Sequence, residues 1–356
     1  MRSRLPLLPV VLAFTTALCA QNPDRPNGER PAGGRGPRNQ PAQVELKHFT
    51  HQEGKFASAA VGKEMEYGIY LPKGYDDDAN KDVQWPLVVW LHGMFEDHRR
   101  FHGRGGAPVL DKAVEDGLLP PCVFVLANGG RTTMYINAGE KKNYQDLVQQ
   151  DLLEFVQKTY RVAGDRNQRA LMGISMGGMA SLRIGFTHPQ LFGTVAVHSS
   201  AVFPSDPKQL PPNLVKNAKR FGLDEVFGDP IDETLWRATN PLGLAEAVDP
   251  KTLAGLRLYF DAGTEDHFEF GKTNALLHEA LDKKKVPHTW QLVQGGGHAW
   301  GSGFQDTSLL ASLKFVGDGF RAAEARGAAL QGLGGAADGK APDAKDPTPA
   351  PKKNGG

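Results

Sequence analysis

Short, almost unbroken apolar runs, separated by stretches of helical character, restrict this chain more than any other feature. They read PLVVWLH at 86–92, CVFVLA at 122–127, RALMGI at 169–174 and TVAVH at 194–198. A strand with one wet face alternates apolar and polar residues, whereas a run without that alternation belongs to a strand covered on both faces. Further strands are expected at 67–71, 256–261 and 288–293. Helices are expected at 144–160, 176–188, 271–284 and 307–321; in the first of these Leu147, Leu152, Val156 and Tyr160 fall near one face. Strand and helix signals that alternate in this way predict an α/β fold, a mostly parallel central sheet with helices on both faces. Residues 204–250, rich in Pro, Lys and Asp, break the rhythm and are expected to form an insertion above the sheet edge.

The two ends differ from this middle. Residues 1–20 read as an export signal: Arg2 and Arg4 precede an apolar stretch too short to span a bilayer comfortably, and small residues follow at Ala17, Cys19 and Ala20. Residues 21–43 hold Pro, Gly, Arg and Asn with few apolar groups, a disordered linker by composition. Residues 323–356 read as a low-complexity tail. One domain is therefore expected over 44–322, in a protein that is secreted or periplasmic and not stably inserted in a membrane. Of two cysteines, Cys19 leaves with the signal, so Cys122 has no disulfide partner. A lipid anchor at Cys19 is disfavoured because Leu18 stands where a small residue is wanted. The formal net charge of +1 gives no electrostatic footprint for nucleic acid.

The run at 169–174 leads into Gly173-Ile174-Ser175-Met176-Gly177-Gly178 and then into a helix. A serine between strand and helix, with Gly173 and Gly177 two residues to either side, is in the context a nucleophile elbow requires. The tight turn projects the hydroxyl, and the helix N-terminus behind it favours developing negative charge. Such a site takes one oxyanion donor from the residue after the nucleophile, Met176, and one from the loop after an earlier strand. Leu91-His92-Gly93 ends that strand, which makes the Met94 N–H the other donor. His92 precedes Ser175, the wrong order for the base, and reads as a strand-end histidine hydrogen-bonded beneath the site.

In this fold the acid and then the histidine follow the serine. Asp261, Glu265 and Asp266 lie on and after one strand, and His298 sits in Gly295-Gly296-Gly297-His298 after the next. The reading is Ser175 as nucleophile, His298 as base and Asp266 as the acid that orients it. Asp261 is expected to cap the loop by accepting backbone N–H groups, and Glu265 to point the other way. His267 is expected in the pocket wall, and His188, His198, His278 and His288 as packing or surface residues. No metal and no cofactor is expected. The acidic turn at 76–82 lacks the central Gly and terminal Glu of a calcium loop, His98 and His102 have helical spacing without a zinc motif, and no phosphate-binding glycine motif follows a strand.

These residues resemble the Putative esterase family of α/β-hydrolases, which includes esterase D (S-formylglutathione hydrolase), feruloyl esterases and mycolyltransferases. The similarity runs through YGIYLPKGY at 67–75, WLHG at 90–93, DLL at 151–153, Tyr160-Arg161 and MGISMGG at 172–178. It continues through FGD at 227–229, NPL at 240–242 and DAGTED at 261–266, and ends at GGHAW, 296–300. The resemblance implies a triad of Ser175, Asp266 and His298. With the export signal it implies a secreted carboxylic-ester hydrolase working through an acyl-enzyme on small-molecule or carbohydrate esters, including feruloyl or acetyl esters of polysaccharides. An acyltransferase would use the same intermediate with a sugar hydroxyl in place of water. A non-catalytic binding protein on this scaffold would carry a broken triad, and none is visible.

Overall fold

The apolar runs become neighbouring strands in the centre of one sheet. The computed structural model describes residues 45–301 and 303–337. The expected signal and linker, and the tail beyond residue 337, lie outside the described residues. Eight strands are present: β1 (Phe49–Ser58), β2 (Lys63–Pro72), β3 (Leu87–Leu91), β4 (Val123–Ala127), β5 (Arg169–Ile174), β6 (Thr194–His198), β7 (Arg257–Gly263) and β8 (Thr289–Val293). Their order across the sheet is β1-β2-β4-β3-β5-β6-β7-β8. β1 and β2 run antiparallel, β2 pairs antiparallel with β4, and β4 to β8 run parallel.

Every residue of β3, β4, β5 and β6 is buried. Alternate side chains enter different cores. Val89, Val125, Leu171 and Val197 join one, packed with the helix that follows β5. Val88, Trp90, Phe124, Met172 and Ala196 join the other, with Leu313, Val316 and Phe320 of the last helix. Each Val, Leu, Phe or Met among them contributes about 1.5–3 kcal/mol when taken fully from water, so uninterrupted apolar runs are what two-sided covering selects.

The helices include Gly106–Glu115, Leu153–Thr159, Met176–Thr187, Phe270–Lys283 and Leu310–Ala337, with others of seven residues or fewer between. Two expected helices are not uniform: Leu147–Leu152 and Phe304–Leu309 are single π-helical stretches that lead into α-helix. The last helix runs through residue 322, so the tail anticipated from 323 begins inside it. Between β6 and β7 the chain forms four short α-helices and two 3-10 turns, and Trp236 and Asn240 there are fully buried. No helix among the described residues is long and apolar enough to cross a membrane.

Candidate active site

Each residue singled out for chemistry follows the carboxyl end of a parallel strand: Met94 after β3, Ser175 after β5, Asp266 after β7 and His298 after β8. Open parallel sheets collect their sites at this edge. Ser175 has φ 54° and ψ −115°, a conformation that costs a non-glycine residue on the order of 1–3 kcal/mol. The surroundings hold it there. Ser175 N–H donates to the His198 carbonyl at 2.9 Å, and the Ser175 carbonyl accepts from Ala201 N–H at 3.0 Å. The elbow glycines are required by contact: a Cβ on Gly177 would lie 2.1 Å from the Leu91 carbonyl oxygen, and one on Gly173 would lie 2.5 Å from that of Gly177.

The loop after β3 is held by His92, which is 1% exposed. Gly129 N–H donates to its Nε2 at 3.1 Å, so that nitrogen carries a lone pair and Nδ1 carries the hydrogen, donated to the Gly93 carbonyl at 2.7 Å. Burial pushes the imidazole down to about 4, which keeps it neutral. The carbonyl and N–H of one trans peptide point in opposite directions. Fixing the Gly93 carbonyl on His92 therefore turns the Met94 N–H away from it. His92 is the buried strand-end residue expected.

Asp266 is 5% exposed. Its Oδ1 accepts from Phe268 N–H at 2.9 Å and its Oδ2 meets His298 Nδ1 at 2.8 Å, which leaves His298 Nε2 free to accept a proton. The loops carrying the two residues touch through backbone. A Cβ on Gly263 would fall 1.9 Å from the Gly296 carbonyl oxygen, which explains small residues on both sides. Glu265 is exposed, and its backbone N–H donates to the Gly296 carbonyl at 2.8 Å.

Asp261 does not cap the loop with backbone bonds. Its Oδ2 meets His198 Nδ1 at 2.9 Å and accepts from Tyr259 Oη at 2.9 Å, and His198 Nε2 meets Ser312 Oγ at 3.0 Å. The fold thus contains a buried Asp–His–Ser hydrogen-bonded chain, separate from Asp266 and His298, whose members are at most 2% exposed. The strand residue found a side-chain partner across the sheet, because register places His198 directly beside Asp261.

Ser175, His298, Met94 and Met176 line one cavity of about 630 Å³. Phe95, Phe203, Phe221, Phe268, Phe270 and Trp300 supply aromatic walls, and Arg104, Glu96 and Lys272 polar ones. His267 is also in the wall. Leu214 and Phe221 come from the segment between β6 and β7, so the anticipated insertion borders the site. Among the described residues no hydrogen bond joins Ser175 Oγ to His298; in unliganded enzymes such contacts are commonly long and tighten with substrate.

Sequence reasoning missed the support behind the loop after β3. Tyr135 Oη accepts from His92 N–H at 3.1 Å, and Arg183, on the helix behind Ser175, donates to the Met134 and Tyr135 carbonyls at 3.1 and 2.5 Å. The Gly129-Gly130 pair after β4 was the available signal of a tight loop there. Ser199 was missed too: its Oγ accepts from Ala299 N–H at 3.2 Å beside His298. His102 Nδ1 meets Tyr70 Oη at 2.9 Å. In the acidic turn at 76–82, Asp78–Asn80 form one helical turn with no buried residue.

A family model described as Putative esterase matches residues 58–315. The chain belongs to that family. It is 26% identical over 218 residues to an endo-1,4-beta-xylanase/feruloyl esterase of Xylanibacter ruminicola, covering 60% of this chain and 28% of that one. It is 26% identical over 261 residues to an S-formylglutathione hydrolase of Paracoccus denitrificans, covering 68% and 85%. The chain thus spans little more than a quarter of the Xylanibacter protein. Among solved structures, a ferulic acid esterase superposes with a TM-score of 0.63 at 23% identity, covering 77% of this chain and 100% of the other. The fold is that of the α/β-hydrolases.

Proposed function

We propose that this member of the esterase family is a serine carboxylic-ester hydrolase that works through an acyl-enzyme. The observation that carries the reading is the meeting of a strained-elbow serine and an Asp266-paired histidine in one aromatic-walled cavity. Ser175 Oγ attacks the ester carbonyl while His298 Nε2 takes its proton. Asp266 keeps the hydrogen on Nδ1 and stabilises the imidazolium. The carbonyl oxygen, now negative, accepts from the N–H groups of Met94 and Met176, aided by the N-terminus of helix Met176–Thr187. His298 returns the proton to the departing alkoxide, and a water activated the same way frees the acid.

The preferred acyl group in this reading is aromatic, of the hydroxycinnamoyl type, joined to a sugar alcohol. A ring that buries about 150 Å² gains about 4 kcal/mol before the costs of binding, and the cavity offers aromatic surface for it. Polar Arg104, Glu96 and Lys272 suit the alcohol. Export, read from residues 1–20, would bring the enzyme to polysaccharide. The test is hydrolysis of methyl ferulate, a feruloylated oligosaccharide, an acetylated oligosaccharide and a peptide by wild type and Ser175→Ala. Ferulate release by wild type alone is expected. Equal activity in the two proteins, or cleavage of the peptide only, would reject the proposal. A sugar acceptor that captures the acyl group in preference to water would make it an acyltransferase.

A further inference from the structure

Three metal-competent side chains meet at the opposite end of the sheet from Ser175. His288 lies just before β8, and its side chain is 3% exposed. Its Nδ1 is 2.8 Å from the Val286 carbonyl oxygen. A carbonyl only accepts, so Nδ1 carries the hydrogen and Nε2 offers a lone pair. That Nε2 is 2.7 Å from Nδ1 of His278, on helix Phe270–Lys283. Asp282, one turn further along the same helix face, places Oδ1 3.9 Å from His288 Nε2 and Oδ2 3.5 Å from His278 Nε2.

We propose that His278, Asp282 and His288 bind a divalent transition-metal ion of the zinc class. Two imidazoles and a carboxylate, with water in the fourth position, form a common zinc ligand set. One ligand atom from each residue lies within 4.8 Å of the others. The bond from His288 Nδ1–H to the backbone carbonyl is the outer contact that fixes a ligating tautomer. A single hydrogen, carried by His278 Nδ1, now bridges the two rings; for that nitrogen to ligate, the neutral His278 ring holds its hydrogen on Nε2 instead. Tetrahedral zinc with bonds of about 2.0–2.1 Å needs its ligand nitrogens about 3.3 Å apart, so the rings must part by about 0.6 Å. His288 is fixed by burial, whereas His278 and Asp282 have side chains 35% and 63% exposed and can make that movement. The ion would clasp the helix to the leading end of β8, which pairs with β7 alone at the sheet edge. The loop bearing His298 leaves the far end of β8, so the ion takes no part in ester cleavage.

The full chain, free of affinity tags and stripped of metal, is titrated with zinc chloride by calorimetry and heated with and without the ion. One ion per chain and a raised Tm are expected, with kcat on nitrophenyl esters unchanged by zinc or by its removal. Cobalt(II) should give the intense visible absorption of a tetrahedral site. The exposed variants His278→Gln and Asp282→Asn should each weaken zinc binding by about 10-fold or more at normal Tm without metal. Absence of saturable binding to wild type, or undiminished binding by the double variant, would overturn the assignment.

Discussion

Two buried aspartates each hold a histidine, Asp266 at 2.8 Å and Asp261 at 2.9 Å, and replacing each by asparagine should separate catalysis from stability. In Asp266→Asn the amide oxygen can still accept from Phe268 N–H. The amide nitrogen then faces His298 Nδ1 and donates to it. This drives the ring hydrogen to Nε2, the nitrogen that must take the Ser175 proton. A tautomer error of this kind lowers kcat by about 10³–10⁴-fold, with Tm little changed because both contacts persist. In Asp261→Asn the single oxygen that serves His198 and Tyr259 loses its charge, and the new N–H groups meet donors. The expected cost is about 1–3 kcal/mol, or about 2–4 °C in Tm for each kcal/mol, with kcat near wild type. The assay is kcat on nitrophenyl acetate and Tm by calorimetry for both variants. An inactive Asp261→Asn of normal Tm beside an active Asp266→Asn would refute the reasoning.

The elbow glycine gives a second expectation. Gly177→Ala puts a methyl 2.1 Å from the Leu91 carbonyl oxygen, so backbone must move; activity should be lost and stability should fall by about 1–3 kcal/mol or more, and full kcat would show that the elbow tolerates a side chain. A third concerns acid. His92 is held at about 4 against an ordinary 6.5, so the unfolded chain takes the proton first: its contribution is complete above about 6.5 and shrinks as pH falls toward about 4, by about 3 kcal/mol in all. Urea unfolding from pH 7 to 4 should show this loss, and His92→Asn, which does not titrate, should show a shallower slope; equal slopes would remove His92 as the cause. The fourth tests the aromatic wall: Phe268→Ala should raise KM for methyl ferulate about 5–30-fold, a loss of about 1–2 kcal/mol, and leave an acetate ester nearly unaffected, so a matching rise for both esters would argue against ring recognition.

The centre of the sheet was legible because β3 to β6 are buried on both faces, a demand that only continuous apolar runs satisfy. β1 was not: in Phe49–Ser58 only Phe49, Phe56 and Ser58 are buried, and a strand with one neighbour need not carry a strong pattern. Helix Gly106–Glu115 was missed because Gly105, Gly106 and Pro108 resemble a turn, although proline is tolerated in a first helical turn. Ser175 and His298 could be named as candidates because glycines lie within two residues of each, and glycine marks close backbone approach; the aromatic walls of the cavity carry no such local mark. The role of Asp261 was not readable, since nothing local in Asp261-Ala262-Gly263 shows that β6 brings His198 alongside. The same holds for Arg183, whose partners lie 48 and 49 residues away in the chain.

The central claim is that Ser175 is the activated serine. The most direct measurement is labelling with a fluorophosphonate, followed by mass spectrometry of the digested protein. One adduct on the peptide containing Ser175 is predicted, formed in step with loss of esterase activity and absent from folded Ser175→Ala. Ser312 also meets a histidine but is fully buried, and it should stay unlabelled. An adduct on Ser312 or another serine that persists in Ser175→Ala, or loss of activity with Ser175 unmodified, would contradict the account.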